Sequence, residues 1–140
     1  MLTKREKQHI IETFTMIEPF AAKAAELFYN RLFEIAPQVK PMFKNTDMSK
    51  QGRHLMMTIG ILVHSIDQLD TFAAHLHKLG KNHIKYGAQA EHYTVVGEAL
   101  LWALEQGVGD AWNDDVASAW TKLYTYVATT AKEAYEPEIG

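Results

Sequence analysis

A chain of 140 residues, 47% hydrophobic and 22% charged, suits one compact domain over residues 1–140 and lies far from the disordered regime. It contains no cysteine, which excludes disulfides, thiolate catalysis, zinc–thiolate sites and a thioether-linked prosthetic group. A net charge of -3, from 14 basic and 17 acidic residues, argues against a nucleic-acid binder working through a basic face.

Helical periodicity dominates from the start. The first helix is expected over Thr3 to Ile17, with Ile10, Phe14 and Ile17 on one face and Thr3 followed by Glu6 as a capping box. Pro19 suits the opening of a second helix that runs to about Ala36. It carries two apolar rows, Ala25, Tyr29, Leu32, Ala36 and Ala21, Phe28, Leu32, Ile35. Pro37 and Pro41 punctuate a short turn ending at Met42 and Phe43, and a polar stretch follows from Lys44 to Lys50. The basic residues Lys40, Lys44, Lys50 and Arg53 read as a solvated connecting segment.

Asp47 caps the next helix, Met48 to Ile66, on which Leu55, Ile59, Leu62 and Ile66 share a face. Asp67 to Asp70 reads as a connector, Asp70 as the cap of a helix from Thr71 to Lys85, and Gly87 as its exit. A further helix is expected from Glu91 to Gln106, with Val96, Leu100, Leu101 and Leu104 inward and Gly107 and Gly109 ending it. Asn113 or Asp114 opens the last, which carries Val116, Trp120, Leu123, Val127 and Ala131 and reaches about Tyr135. β-Branched residues are scattered, and no internal repeat is present. The expectation is an all-α domain of six or seven helices.

Leu55 to Ile66, the longest apolar stretch without a formal charge, is too short to span a bilayer. Met1 to His9 is charged and leads into no leader-like apolar run, so the expected location is cytoplasmic, away from membranes.

The informative residues interrupt apolar rows. His83 continues the row Phe72, Leu76, Leu79, and by itself reads as a core histidine with a backbone partner. Gln51 extends the row Leu55, Ile59, Leu62 back by one turn, and Tyr29 sits within an apolar row of the second helix. Phe43, after two prolines, reads as a plug at the edge of the core. Together they suit a planar metal cofactor clasped between helices, with a histidine on one side and a tyrosine and a glutamine on the other. A zincin HExxH is absent, as are the ExxH pairs of a di-iron bundle.

Four stretches carry a family resemblance: LFYNRLFEIAPQVKPMF (Leu27 to Phe43), QGRHLMMTIGILV (Gln51 to Val63), LGKNHIKYGAQAEHYTVVGEALLWAL (Leu79 to Leu104) and AWTKLYTYVA (Ala119 to Ala128). In these the chain resembles the globins, in particular single-domain bacterial globins related to flavohaemoglobins and neuroglobins. The resemblance implies a globin fold of six to eight helices enclosing one non-covalent haem b. His83 then matches the proximal iron ligand, its second ring nitrogen donating to the Leu79 carbonyl. Phe43 matches the aromatic on the haem face, and Pro37 the proline opening the short third helix. Tyr29 and Gln51 match the distal pair facing bound ligand, with Leu55 over the iron, and Arg53 and His54 are candidates for a haem propionate. Tyr93 matches a proximal tyrosine, while the aligned position of its glutamate partner holds Tyr135, with Glu133 and Glu136 on other faces. That weakens a proximal push on His83. Gln51 in place of a distal histidine disfavours bis-histidyl coordination, His54 being the residual candidate.

A hydroxyl or amide donor stabilises a diatomic ligand that acquires negative charge, by about 1.5–3 kcal/mol in a dry pocket. That corresponds to roughly ten- to a hundredfold in residence time. The expected function is therefore reversible, high-affinity binding of oxygen, and of nitric oxide and carbon monoxide. The enzymatic alternative is a nitric oxide dioxygenase or nitrite reductase, and a third reading is a gas sensor acting through a partner. Flavohaemoglobins continue into a reductase module and this chain ends at Gly140, so an external reductase is the expected electron source.

Overall fold

The first helix begins where the capping box places it. Thr3 Oγ1 accepts from Glu6 N at 3.1 Å, and Glu6 Oε1 accepts from Thr3 N at 2.8 Å, so two otherwise orphaned amides are satisfied. A computed structural model describes residues 2–85 and 91–133, apart from the side chains of Phe72, His83, Ile84 and Lys85. Six α-helices occupy the described residues: α1 (Lys4–Ile17), α2 (Ala21–Ile35), α3 (Met48–His64), α4 (Ala73–Lys85), α5 (His92–Val108) and α6 (Asp114–Lys132). No strand occurs among them. The fold is all-α, as the periodicity implies.

Boundaries move where a tighter helix intervenes. The segment Ile66–Phe72, expected as a connector and a helical first turn, is 3-10 helix with a kink at Gln68 (φ -133, ψ 36), and α4 starts only at Ala73. Asp70 therefore lies within that segment rather than at the cap of α4. Glu18–Phe20 and Pro37–Phe43 are also 3-10, each with a proline near its start, where a missing N–H costs nothing. α5 continues through Gly107 and stops at Gly109, whose φ of 68° suits glycine. Asn113 caps α6 by accepting from Val116 N at 2.9 Å. Gly87 and Tyr135 lie outside the described residues.

α2 packs mainly on α5 and α3, α1 on α6, and α4 on α6. Three apolar clusters result. The largest joins Ile10, Phe14 and Ile17 of α1 to Ile59 and Leu62 of α3, Leu104 of α5 and Trp120 and Leu123 of α6. Burying each such side chain contributes about 1.5–3 kcal/mol relative to exposure. Its one buried hydroxyl is satisfied: Thr13 Oγ1 accepts from Trp120 Nε1 at 2.8 Å and donates to the His9 carbonyl at 2.7 Å. The second cluster holds Phe28, Tyr29, Leu32, Ala36 and Val39 against Ala99 and Ala103 of α5. The third holds Tyr93 with Ala128 and Ala131, flanked by Tyr124.

Two close approaches set these contacts. A Cβ at Gly52 would stand 3.0 Å from Ala25 Cβ, so the glycine lets α3 cross close to α2. A Cβ at Gly97 would stand 2.6 Å from the Tyr124 ring, which is held by its hydroxyl donating to the Tyr93 carbonyl at 2.5 Å. Gly97→Ala must therefore move α5 or break that bond. It is expected to destabilise the protein by about 1–3 kcal/mol, read as a lower urea midpoint with an unchanged m value. An unchanged midpoint would show the ring is free to move aside.

Glu6 also joins α1 to α6. Its carboxyl is held down to about 2 by the hydrogen bond from Lys122 Nζ (2.6 Å) and by that from the Thr3 amide. A depressed carboxyl stabilises the fold above its unfolded value and loses that contribution as pH falls toward the folded one. Between pH 4.5 and 2 the melting temperature of Glu6→Gln should thus fall less steeply than that of wild type. Parallel melting curves would remove Glu6 from the acid response.

Candidate functional site

The α2–α3 crossing assembles the polar pair. Asp47 Oδ1 accepts from Ser49 N at 3.0 Å and Lys50 N at 3.3 Å, starting α3 so that Gln51 falls in its first turn. Gly52 then lets that turn approach Ala25, one turn before Tyr29 on α2. The Gln51 amide lies near the Tyr29 hydroxyl, near enough to draw its ionisation downward.

Tyr29 is only 7% exposed, and its ring is caged by aromatics. Phe28 stands edge-on at 4.8 Å between centroids, Phe43 edge-on at 5.7 Å and Phe33 tilted at 6.2 Å. Phe43, the last residue of the proline-led 3-10 segment, meets Phe33 at 5.5 Å. Edge-on pairs of this kind add about 0.5–1.5 kcal/mol beyond burial and fix ring orientation. Burial pushes the Tyr29 hydroxyl above its ordinary range, while the neighbouring Gln51 amide pulls it part of the way back. Tyr29 is a neutral donor at physiological pH.

Leu55 lies one turn beyond Gln51 and, like Leu100 of α5, is half-buried in contact with both larger clusters. Tyr29, Gln51, Phe43 and Leu55 thus share one neighbourhood around α2 and α3. Leu79 is half-buried on α4 against the largest cluster, and Tyr93 stands in the first turn of α5 in the third cluster. The Tyr93 ring has Lys132 Nζ 5.8 Å from its centroid. Arg53 and His54 are exposed on α3. His83 belongs to α4, one turn after Leu79, but its side chain lies outside the described set, and so does any bond to the Leu79 carbonyl. Tyr135 and Glu136 lie outside the described residues, and the Glu133 carboxylate is bonded to His77 Nε2 at 2.6 Å.

Sequence reasoning missed Phe33 and Leu100 as parts of this neighbourhood. Phe33 carried a readable signal, four residues after Tyr29 on one helix. The Tyr124–Tyr93 bond and the His77–Glu133 pair carried none, because each depends on how two helices distant in sequence cross.

The described residues fit a flat, largely apolar group with one polar edge. Two core clusters remain separate and are bridged by half-buried leucines rather than sealed into one. α4 makes its main contacts with α6 and the 3-10 segment before it, not with α3. One neutral hydroxyl and one amide are the polar groups at the caged end. Among the described residues, no three His, Asp or Glu side chains are placed to hold a bare metal ion.

A family model described as Globin matches residues 26–131. Flavohemoproteins from Oceanobacillus iheyensis and Bacillus subtilis are each 28% identical to the chain, over 96% and 97% of its length. The chain spans about a third of those relatives, 35% and 36% of their lengths. An anaerobic nitrite reductase from Gossypium hirsutum is 27% identical over 94% of the chain and 90% of its own length. The structure of a bacterial globin from Campylobacter jejuni superposes with a TM-score of 0.82 at 26% identity, covering 96% of this chain and all of that one (100%).

Proposed function

The chain belongs to the globin family, and we propose that it holds one haem b non-covalently and binds oxygen, nitric oxide and carbon monoxide reversibly, oxygen tightly. The observation that carries the ligand preference is the Tyr29 hydroxyl, on a ring enclosed by aromatics and with the Gln51 amide beside it. When bound, the haem supplies an iron able to take up a diatomic ligand and to change oxidation state.

His83 is the proposed iron ligand on α4, with Leu79 and Tyr93 on the same side of the group. Phe43 and Leu55 are its proposed apolar surface, and the exposed Arg53 and His54 are the proposed partners of carboxylates at its edge. In this reading Tyr29 donates its proton to a ligand that gains negative charge, and the neighbouring Gln51 amide is a second donor. Phe28, Phe33 and Phe43 surround the ring that carries the donor, which favours a water-poor setting for its hydrogen bond.

Reconstitution with haem should give a strong Soret band, and stopped-flow mixing should show slow oxygen release. A haem-loaded protein that lets oxygen go as fast as a pocket without donors would overturn the affinity claim.

The second reading is turnover, as a nitric oxide dioxygenase or nitrite reductase fed by a separate reductase. It is favoured by the Gossypium hirsutum relative, which bears a nitrite reductase name and matches over 90% of its own length. Catalytic consumption of nitric oxide or nitrite with NADH and a reductase would establish it, whereas a single stoichiometric burst leaves binding alone. No described helix is long and apolar enough to cross a membrane.

A further inference from the structure

Charge is unevenly spread along this chain. Between Pro37 and His64 stand four cations, Lys40, Lys44, Lys50 and Arg53, and a single acid, Asp47. With a total of -3, the rest of the chain carries a net charge of -6. Asp47 is committed to capping α3, and all four cations are exposed. The ion pairs of the described residues, among them Lys7–Asp67 and Lys122–Glu6, use none of the four.

Beside them lies an apolar groove of about 360 Å³. Phe33, Phe43 and Met48 are half-buried in its lining, and Lys40 and Lys44 stand exposed along it. Its Phe43 wall meets the Tyr29 ring at 5.7 Å, so the groove backs directly onto the site. The large apolar side chains that do project from the molecule, such as Phe20, Met57 and Ile61, lie outside this groove.

Resting on the haem reading, we propose that this groove is the docking surface for an acidic electron-donor protein. An apolar side chain of the donor enters between Lys40 and Lys44, and carboxylates around it face these two lysines, with Lys50 and Arg53 adding positive charge at the start of α3. A recess flanked by cations suits a protruding side chain ringed by acids. A bilayer would instead be met by a projecting apolar wedge, and a nucleic acid by exposed stacking aromatics. Met48 gives the groove an adaptable wall, as transient partners require. The reaction served is a one-electron transfer: the donor's iron–sulfur cluster loses one electron, and ferric haem gains it and becomes ferrous. No atom or proton changes hands.

The test uses a reduced-or-oxidised [2Fe–2S] ferredoxin as a small acidic probe. Oxidised ferredoxin is titrated into the 15N-labelled, haem-loaded protein in its ferrous carbon monoxide form. Amide shifts should concentrate in residues 37–53, and affinity should fall at least about tenfold between ~20 mM and ~300 mM salt. Lys40→Glu with Lys44→Glu should weaken binding at least about tenfold, while Lys4→Glu with Arg5→Glu, the same charge change on α1, should weaken it less than about threefold. Reduced ferredoxin should follow the same order in its rate of haem reduction, with dithionite reduction unchanged. Shifts elsewhere, no binding, or equal losses from the two variant pairs would overturn the docking site. The Soret band of the same samples judges the haem reading separately: without it that reading fails, and the titration still decides whether an acidic protein docks here.

Discussion

Tyr29→Phe should release oxygen roughly ten- to a hundredfold faster than the wild-type haem-loaded protein, with carbon monoxide release changed far less. The substitution removes one oxygen atom and keeps the ring that Phe28, Phe33 and Phe43 enclose, so the cage and fold stay in place. What goes is a neutral hydroxyl donor. A hydrogen bond to a partly charged acceptor in a water-poor pocket contributes about 1.5–3 kcal/mol, and each 1.4 kcal/mol is about tenfold in rate. Carbon monoxide acquires little charge and serves as the internal control. Because burial raises the hydroxyl above its ordinary range, the wild-type rate should not vary through neutral pH on account of Tyr29. Stopped-flow dissociation of both gases decides it. An unchanged oxygen rate would remove Tyr29 from ligand stabilisation, and an equal rise for both gases would mean the pocket had simply opened.

This site was legible in part because each of its polar residues stands out on its own helix. Tyr29 interrupts one helical row and Gln51 heads another, and a crossing close enough for Gly52 to touch Ala25 brings the two row positions side by side. Phe43 was readable for a different reason, since two prolines force a short segment that must end on a large side chain at the core's edge. Caps were equally readable at Thr3, Asp47 and Asn113, where a side-chain oxygen meets amides two or three residues on. Asp70 was misread by the same logic: a residue with capping chemistry stands inside a 3-10 segment, because the kink at Gln68 delays α4 to Ala73. Nothing local marks that kink. Nor does anything local mark Tyr124 beneath Tyr93 or Glu133 against His77, contacts made only by the crossings of α6 with α5 and α4. Charge distribution was legible too, but it read as solvated surface until the groove beside Lys40 and Lys44 was seen.

His83→Ala should have the largest effect of any single change, lowering haem affinity by more than about a hundredfold. Removing even a hydrogen-bond partner of a metal ligand costs about 10–100-fold, and here the ligand itself goes. The loss should not come from unfolding. Alanine is the better helix former by a few tenths of a kcal/mol, and α4 is anchored elsewhere, by Leu76 in the largest cluster and by His77 bonded to Glu133 of α6. Circular dichroism should therefore be unchanged while the Soret band of the reconstituted variant is greatly weakened. His54 is exposed on α3 and His77 is bonded to Glu133, so neither stands ready to substitute for the lost ligand. Added imidazole should restore the band, because it replaces the missing side chain without its backbone. Two outcomes discriminate sharply. Full haem retention in His83→Ala would mean that another residue holds the iron, and loss of helical signal with no rescue by imidazole would make His83 a residue of the fold, as its place in the Phe72, Leu76, Leu79 row alone suggests.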